Sequence, residues 1–307
     1  MEVEVMLEQA SDLTRWDPLA GGDIECRHVH VSLSFGQVSL RYVGHVEKPL
    51  LICLHGWLDN SSSFHCLAKE LVDDYQLLLV DLPGHGLSDP LKEGSHYYIW
   101  QYVEVLYELL GVLKLDNASF LAHSMGGVAA SLFAGSFPEK VERLILLDSI
   151  GPMASVPSNA ASQLAKSIQQ EQQSNPNLRT FETVEHALDA RKKASPKMSN
   201  AGLLPIVVRN LKVVDGGYSW STDKRLRQTS KVSLTEEQVQ GFFSAITANV
   251  LALIAEEGII PISWREHRLS LIPKHQSFVL PGHHHFHCEI QYASAISDHI
   301  KQFMTKK

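Results

Sequence analysis

The sequence predicts an α/β protein, a mostly parallel sheet flanked by helices with a helical segment inserted late in the chain. Two observations carry that expectation. From about Ile24 to Asp148, short apolar runs alternate with amphipathic stretches across loops of a few residues. The pattern then lapses from about Ala154 to Ser244, a stretch rich in Gln, Ser and Lys, and resumes at Val250. The 307 residues, 44% hydrophobic and 20% charged, suffice for one large domain or two modest ones.

The first two strands, His28 to Leu33 and Gln37 to Val43, alternate across Ser34-Phe35-Gly36 and read as a hairpin. Leu50 to Leu54 is a continuous apolar run of the kind buried on both faces of a parallel sheet. Leu77 to Val80, Ser119 to Leu121 and Leu144 to Leu147 repeat it. Helices fit between them at about Ser62 to Val72, Tyr98 to Leu113 and Gly126 to Ser136. In the second of these, Tyr102, Val105, Leu106, Leu109, Leu110 and Leu113 keep helical spacing and belong to the core. After Gly151-Pro152 come breakers such as Asn175-Pro176, Ser195-Pro196 and Asp215-Gly216-Gly217. Strands return at Val250 to Ile254 and Ser277 to Leu280, and a helix over about Gln291 to Phe303 closes the pattern. The domain expectation is therefore an extension at 1–22, a core of 23–152 and 246–307, and a helical cap at 153–245. Val3, Met6, Leu7, Ala10 and Leu13 suggest a short amphipathic helix in that extension.

Charge and composition exclude several classes. A net charge of −7 and a mean hydropathy of −0.06 fit neither a membrane protein nor a disordered acidic chain. No run of about 18 apolar residues is present to span a bilayer. Arg191-Lys192-Lys193 is too short a basic cluster for a nucleic-acid footprint. The acidic start, with Glu2, Glu4, Glu8 and Asp12, suits neither a secretory nor a mitochondrial leader. Cys26, Cys53, Cys66 and Cys288 are too scattered for a disulfide scaffold or a CxxC metal site, so reduced thiols in a cytoplasmic setting are expected.

Chemistry concentrates in three places. In Phe120-Leu121-Ala122-His123-Ser124-Met125-Gly126-Gly127, a strand runs into a sharp turn with Ser124 at its apex, and a helix opens at once. Small residues at Ala122 and Gly126 let a strained turn pack, exposing the hydroxyl where the helix dipole favours negative charge. Ala122 stands where the G-x-S-x-G pattern has its first glycine. In His55-Gly56-Trp57-Leu58-Asp59-Asn60, directly after a buried strand, Gly56 lets the chain turn. The backbone N–H groups of Trp57 and Met125 are the candidate oxyanion donors. His55 is expected to bond the loop backbone and hold that hole open rather than to act as a base. The third place is Pro281 to Glu289, with four histidines at 283, 284, 285 and 287. A zinc reading fails there because no partner cluster supplies further ligands, so neither a metal nor a cofactor is expected.

These segments, with Asp81-Leu82-Pro83-Gly84-His85-Gly86-Leu87-Ser88, resemble the α/β-hydrolase fold from about Ser32 onward. The branch is that of esterases, epoxide hydrolases and haloalkane dehalogenases, and within it the chain is similar to the animal serine hydrolase-like proteins. The resemblance implies an eight-stranded, mostly parallel sheet with a helical cap, Gly84, Gly86 and Ser88 as structural residues, and His123 and Gly126 as site-shaping ones. Dehalogenases and epoxide hydrolases need a carboxylate at the elbow, so Ser124 points to acyl transfer. The family keeps its catalytic His five residues before a Glu, which counts back from Glu289 to His284, with His287 as the neighbouring non-catalytic His. Its usual acid position falls on Gly258. Either Glu256 or Glu257 has shifted into the role, or Asp148 supplies the acid from the preceding strand end, as in part of the branch, or there is none.

The resulting expectation is a monomeric or weakly dimeric serine hydrolase of small acyl esters, thioesters or amides. The resemblance also allows peroxisomal or vesicular association. Trp57, Trp220, Phe242 and Phe243 are candidates for an apolar slot suited to small apolar or aryl esters. The missing carboxylate at Gly258 keeps a catalytically weak or inactive ligand-binding protein as an alternative. Perhydrolysis or cyanohydrin lysis would use the same constellation.

Overall fold

The computed structural model describes residues 26–173 and 179–305; the expected 1–22 extension and its helix lie outside them. In chain order the strands are β1 (Cys26–Leu33), β2 (Gly36–Val43), β3 (Leu50–Leu54), β4 (Gln76–Val80), β5 (Ala118–His123), β6 (Val141–Leu147), β7 (Thr180–Phe181), β8 (Leu211–Val214), β9 (Gly217–Trp220), β10 (Asn249–Glu257) and β11 (His275–His283). The helices are α1 (His65–Leu71), α2 (Ile99–Leu113), α3 (Ser124–Ser136), α4 (Ala160–Gln172), α5 (Val184–Ala194), α6 (Asn200–Arg209), α7 (Glu236–Ser244), α8 (Ile262–Ser270) and α9 (Ile290–Thr305). An eight-stranded sheet runs β1-β2-β4-β3-β5-β6-β10-β11. It is parallel from β4 to β11, while the β1–β2 hairpin pairs antiparallel and joins β4 antiparallel.

Side-chain parity along each central strand divides the core in two, because successive residues point to opposite faces. Ile52, Leu54, Phe120, Ala122, Leu144 and Leu146 bury one face with residues of α2, α3 and α7. Leu51, Cys53, Leu121, Ile145 and Leu147 bury the other with residues of α1 and α9. Both faces are covered, so the strands read as unbroken apolar runs. The parallel strands all deliver their carboxyl ends to one edge, where β3, β5, β6 and β11 release the loops that carry the functional residues.

The inserted segment departs from the expectation in two ways. It is not purely helical: β7, β9 and β8 form a small antiparallel sheet, with β8 and β9 joined by the two-residue turn Asp215-Gly216. Gly216 adopts a φ of 80°, in the left-handed region that glycine enters without penalty. Strands of two to four residues are too short to show periodicity, so Asp215-Gly216-Gly217 reads in sequence as a breaker. The segment also divides differently from 153–245. Phe181, Val184, Leu188, Leu203, Ile206 and Leu211 make a separate small core, but Val239 and Phe243 of α7 are buried in the main one.

Buried polar contacts fasten the insertion to the sheet edge. Arg191 Nη2 meets Asp59 Oδ1 at 2.8 Å and Arg209 Nη2 meets Asp81 Oδ2 at 2.8 Å. Asn60 Nδ2 donates to the Ile206 carbonyl, and Asn210 Nδ2 donates to that of Leu58. Burial alone would raise the Asp81 carboxyl; the Arg209 guanidinium and the Ser61 amide N–H override it and hold it well below the usual carboxylate range. Asp81→Asn leaves Arg209 without its counter-charge and is expected to cost about 3–5 kcal/mol. Urea unfolding at neutral pH measures that loss, and a cost below about 1 kcal/mol would show that the pair is not a fastening.

Among the described residues, no helix is long and apolar enough to cross a membrane.

Candidate active site

Ser124 stands where β5 ends and α3 begins, with a φ of 47° in the left-handed region that non-glycine residues seldom occupy. The close packing around it explains the small residues beside it. A Cβ on Gly126 would lie 2.3 Å from the Leu54 carbonyl oxygen, so only glycine lets the start of α3 press against the end of β3. Across that contact the Gly126 N–H donates to the His55 carbonyl at 3.0 Å, pinning the His55-Gly56-Trp57 loop to the elbow. Ser149 Oγ donates to the Ser124 carbonyl at 2.8 Å and ties the turn to the loop after β6.

His284, on the loop after β11, reaches this hydroxyl. Its Nε2 lies 2.9 Å from Ser124 Oγ, and its Nδ1 lies 2.6 Å from Asp148 Oδ2. Asp148 follows β6 with a φ of 42° and is fully buried. Its Oδ1 accepts the Ala255 N–H at 3.1 Å and its Oδ2 accepts the Ile259 N–H at 3.2 Å. These bonds turn the carboxylate across β10 toward the imidazole.

Gly258 explains why this carboxylate has room. A Cβ there would fall 2.3 Å from Asp148 Oδ1 and 2.5 Å from Oδ2. The space a side chain at 258 would fill is taken by the Asp148 carboxylate. The two alternates lie elsewhere: Glu256 and Glu257 are exposed at the end of β10, and Glu257 Oε2 pairs with Lys197 Nζ at 2.8 Å. Strand alternation and the bulge between Ala255 and Glu257 direct neither of them to the imidazole.

The candidate oxyanion donors flank the hydroxyl. Trp57 lines a cavity with Ser124 on one side, Met125 lines one with Ser124 on the other, and both border a third. His55 is fully buried; its Nδ1–H donates to the Gly56 carbonyl at 2.8 Å and its Nε2 accepts the Leu82 N–H at 3.0 Å. Both ring nitrogens are thus spent on the backbone.

A family model described as alpha/beta hydrolase fold matches residues 49–288. The chain belongs to the α/β-hydrolase family. Several of its relatives carry serine hydrolase-like names. The serine hydrolase-like protein of Danio rerio is 28% identical over 274 residues, 84% of this chain and 81% of that protein. The one of Mus musculus is 27% identical over 279 residues, 84% of this chain and 89% of that protein. The crystal structure of a hypothetical protein from Pseudomonas aeruginosa PAO1 superposes with a TM-score of 0.85 at 29% identity, covering 91% of this chain and 99% of that one.

Behind the imidazole, this α/β-hydrolase packs a cluster that sequence inspection does not assemble. His123 Nε2–H donates to the His284 carbonyl at 2.9 Å, so the elbow itself holds the histidine loop in place. His285 Nε2 lies 3.2 Å from Asp59 Oδ2, and the His287 ring is 4.1 Å from that of His123. His123, His284 and His285 bring ligand atoms within 4.8 Å of one another, so the fold supplies the partner that the late loop lacks in sequence. His284 is engaged by Ser124 and Asp148 and His123 Nε2 by the His284 carbonyl, whereas the buried His123 Nδ1 and Asp59 Oδ2 have no hydrogen-bond partner among the described residues, the latter lying 3.2 Å from His285 Nε2. Arg268, also unforeseen, is fully buried and donates from Nη1 to the carbonyls of Ile150 and Pro152, both at 2.8 Å, bracing the loop that leaves Asp148.

Two cavities meet at Ser124. One, of about 310 Å³, is largely apolar, with Val128, Met153, Val232, Leu234 and Ile260 in its wall. The other, of about 510 Å³, contains His284, His285, Trp57 and Trp220. Phe242 and Phe243 join neither, contrary to the expected slot. Phe242 lines a separate groove against α2 and α3, and Phe243 is in the core.

The histidines also set an acid limit on stability. His55, His65, His85, His123 and His287 are buried, and desolvation lowers each below its ordinary value, His65 to about 4 and His85 to about 3. Native chains hold these rings neutral, whereas unfolded chains protonate them near pH 6.5, so their stabilisation is complete above that pH and is lost as pH falls. Each contributes a slope of roughly 1.4 kcal/mol per pH unit, and five together about 7 as an upper bound, against a stability of about 5–15 kcal/mol. Thermal scans from pH 7.5 to 4.5 are expected to show Tm falling steeply below about pH 6. A flat profile down to pH 5 would contradict the neutral, buried state of these rings.

Proposed function

We propose that the chain is a serine hydrolase that cleaves a carboxylic ester, thioester or amide through an acyl-enzyme. What supports this reading is one continuous run of hydrogen bonds, Asp148 Oδ2 to His284 Nδ1 and His284 Nε2 to Ser124 Oγ, opening on two cavities. His284 takes the Ser124 proton as Oγ attacks the acyl carbon, and Asp148 fixes the tautomer that leaves Nε2 free to accept it. The N–H groups of Trp57 and Met125 stabilise the oxyanion, each worth about 10²–10³ in rate. His284 then returns the proton to the leaving group, and water, deprotonated by the same nitrogen, releases the acid. His123 and Arg268 act as positioning residues, the first through the His284 carbonyl and the second through the loop after Asp148.

The glycine at 258, which on its own favours a non-catalytic binding protein, coincides here with a carboxylate in the place its side chain would occupy. The test is labelling by a fluorophosphonate probe followed by peptide mapping. A single adduct on Ser124, formed more slowly while saturating p-nitrophenyl butyrate is present, is expected. A folded protein that takes up no probe, or labels elsewhere, would overturn the proposal.

A further inference from the structure

Ser124 divides two cavities of opposite chemistry. The proton that completes acyl transfer comes from His284 Nε2, so the leaving group must sit on the side whose wall contains His284. That is the 510 Å³ cavity, and it is cationic: Arg179, Arg191 and Arg227 line it, and Asp59 is the one carboxylate among its described lining residues. Asp59 Oδ1 is paired with Arg191, and its Oδ2 lies 3.2 Å from His285 Nε2. Arg179 lies over the Phe181 ring, its guanidinium carbon 5.1 Å from the centroid, with no carboxylate partner among the described residues. Arg227, itself exposed, likewise has none among the described residues, and partial desolvation and the like charge of Arg191 both depress its guanidinium. The guanidinium groups of Arg227 and Arg191 line one cavity and repel each other, and an anion between them removes that cost.

The placement of Arg227 is fixed from the oxyanion side. Trp57 Nε1–H donates to the carbonyl of Leu226 at 2.9 Å, so the loop bearing Arg227 is hung from the residue whose amide faces the reacting carbonyl. Across Ser124, Asp148 is the one charged group among the described residues lining the apolar cavity, and that carboxylate is held by His284 and two backbone amides.

We propose that the substrate is an acyl ester or thioester whose leaving group carries a carboxylate or phosphate, bound by Arg227 with Arg191 and Arg179, while its apolar acyl chain lies in the opposite cavity. This rests on the acyl-transfer reading of Ser124 given above. Hydrolysis by this route transfers the acyl group to Ser124 Oγ, returns its proton to the departing oxygen or sulfur, and consumes one water.

Two pairs of thioesters with the same butyryl group test the inference. S-butyryl-3-mercaptopropionate is compared with its neutral propanamide counterpart, and butyryl-coenzyme A with S-butyryl-N-acetylcysteamine; thiol release is followed at low and high salt. The anionic member of at least one pair is expected to have a kcat/KM about 10- to 100-fold higher, falling with salt. Preference in the first pair identifies a carboxylate receptor, and preference in the second alone a phosphate receptor. Arg227→Gln is expected to cut the anionic-to-neutral ratio at least tenfold, and Arg227→Lys to retain part of it. Equal rates within both pairs, or a ratio that survives Arg227→Gln in a variant still labelled at Ser124, would overturn the inference and leave the acyl-transfer reading standing. Absence of both thioester turnover and fluorophosphonate labelling would overturn the two together.

Discussion

Asp148→Asn is expected to lower kcat for p-nitrophenyl acetate by about 10⁴, because an amide in place of the carboxylate can hold the imidazole in the tautomer that carries its proton on Nε2. The fold should survive, since asparagine tolerates the φ of 42° at this position and can still accept the Ala255 N–H. A sharper form of the experiment exploits Gly258. Gly258→Asp alone brings a second carboxylate to about the position of the first, with its Cβ 2.3 Å from Asp148 Oδ1, and is expected to lower both Tm and activity. Combined with Asp148→Gly, the new side chain enters vacated space at the end of β10, and turnover is expected to recover at least tenfold over Asp148→Gly alone. Retention of more than a tenth of wild-type kcat in Asp148→Asn would remove Asp148 from the mechanism. Loss of the hydrogen-bonded acid should also slow fluorophosphonate labelling, because the same imidazole activates Ser124 toward the probe.

Ser124→Ala is expected to reduce kcat by about 10⁶, the loss seen when a nucleophile acting as one unit with its base is deleted. Ser124→Gly should be equally inactive but more stable than Ser124→Ala, since glycine occupies a φ of 47° without the strain that a Cβ meets there. A difference of about 1 kcal/mol between the two corresponds to a Tm gap of roughly 2–4 °C in a protein of this size. An alanine variant that kept turnover within tenfold would place the nucleophile elsewhere. Equal melting points for the two variants would instead show that the elbow stores no strain.

The site was legible in sequence where it is made of neighbours and illegible where it is made of distant groups. Ser124, Gly126, His55 and Gly56 lie in two short segments whose spacing already implies a strand, a turn and a helix start. Asp148 and His284 lie 136 residues apart, and nothing local distinguishes Asp148 from Glu256 or Glu257 as a partner for that ring. The choice depends on β6 lying beside β10 and on an unfilled position at Gly258, both properties of packing. The aromatic slot failed for the related reason that Phe242 lines a separate groove and Phe243 is buried in the core, whereas Trp57 and Trp220, the last residue of β9, converge from segments far apart in the chain.

Local physics therefore settled the layered α/β plan, because burial on both faces writes continuous apolar runs and a tight elbow demands small residues around its apex. Which carboxylate faces the imidazole, how the histidines gather behind it and where the arginines stand were decided only in three dimensions. Those relations are set by strand order and by buried ion pairs such as Asp59–Arg191, whose partners are brought together by the fold and leave no periodic trace along the chain.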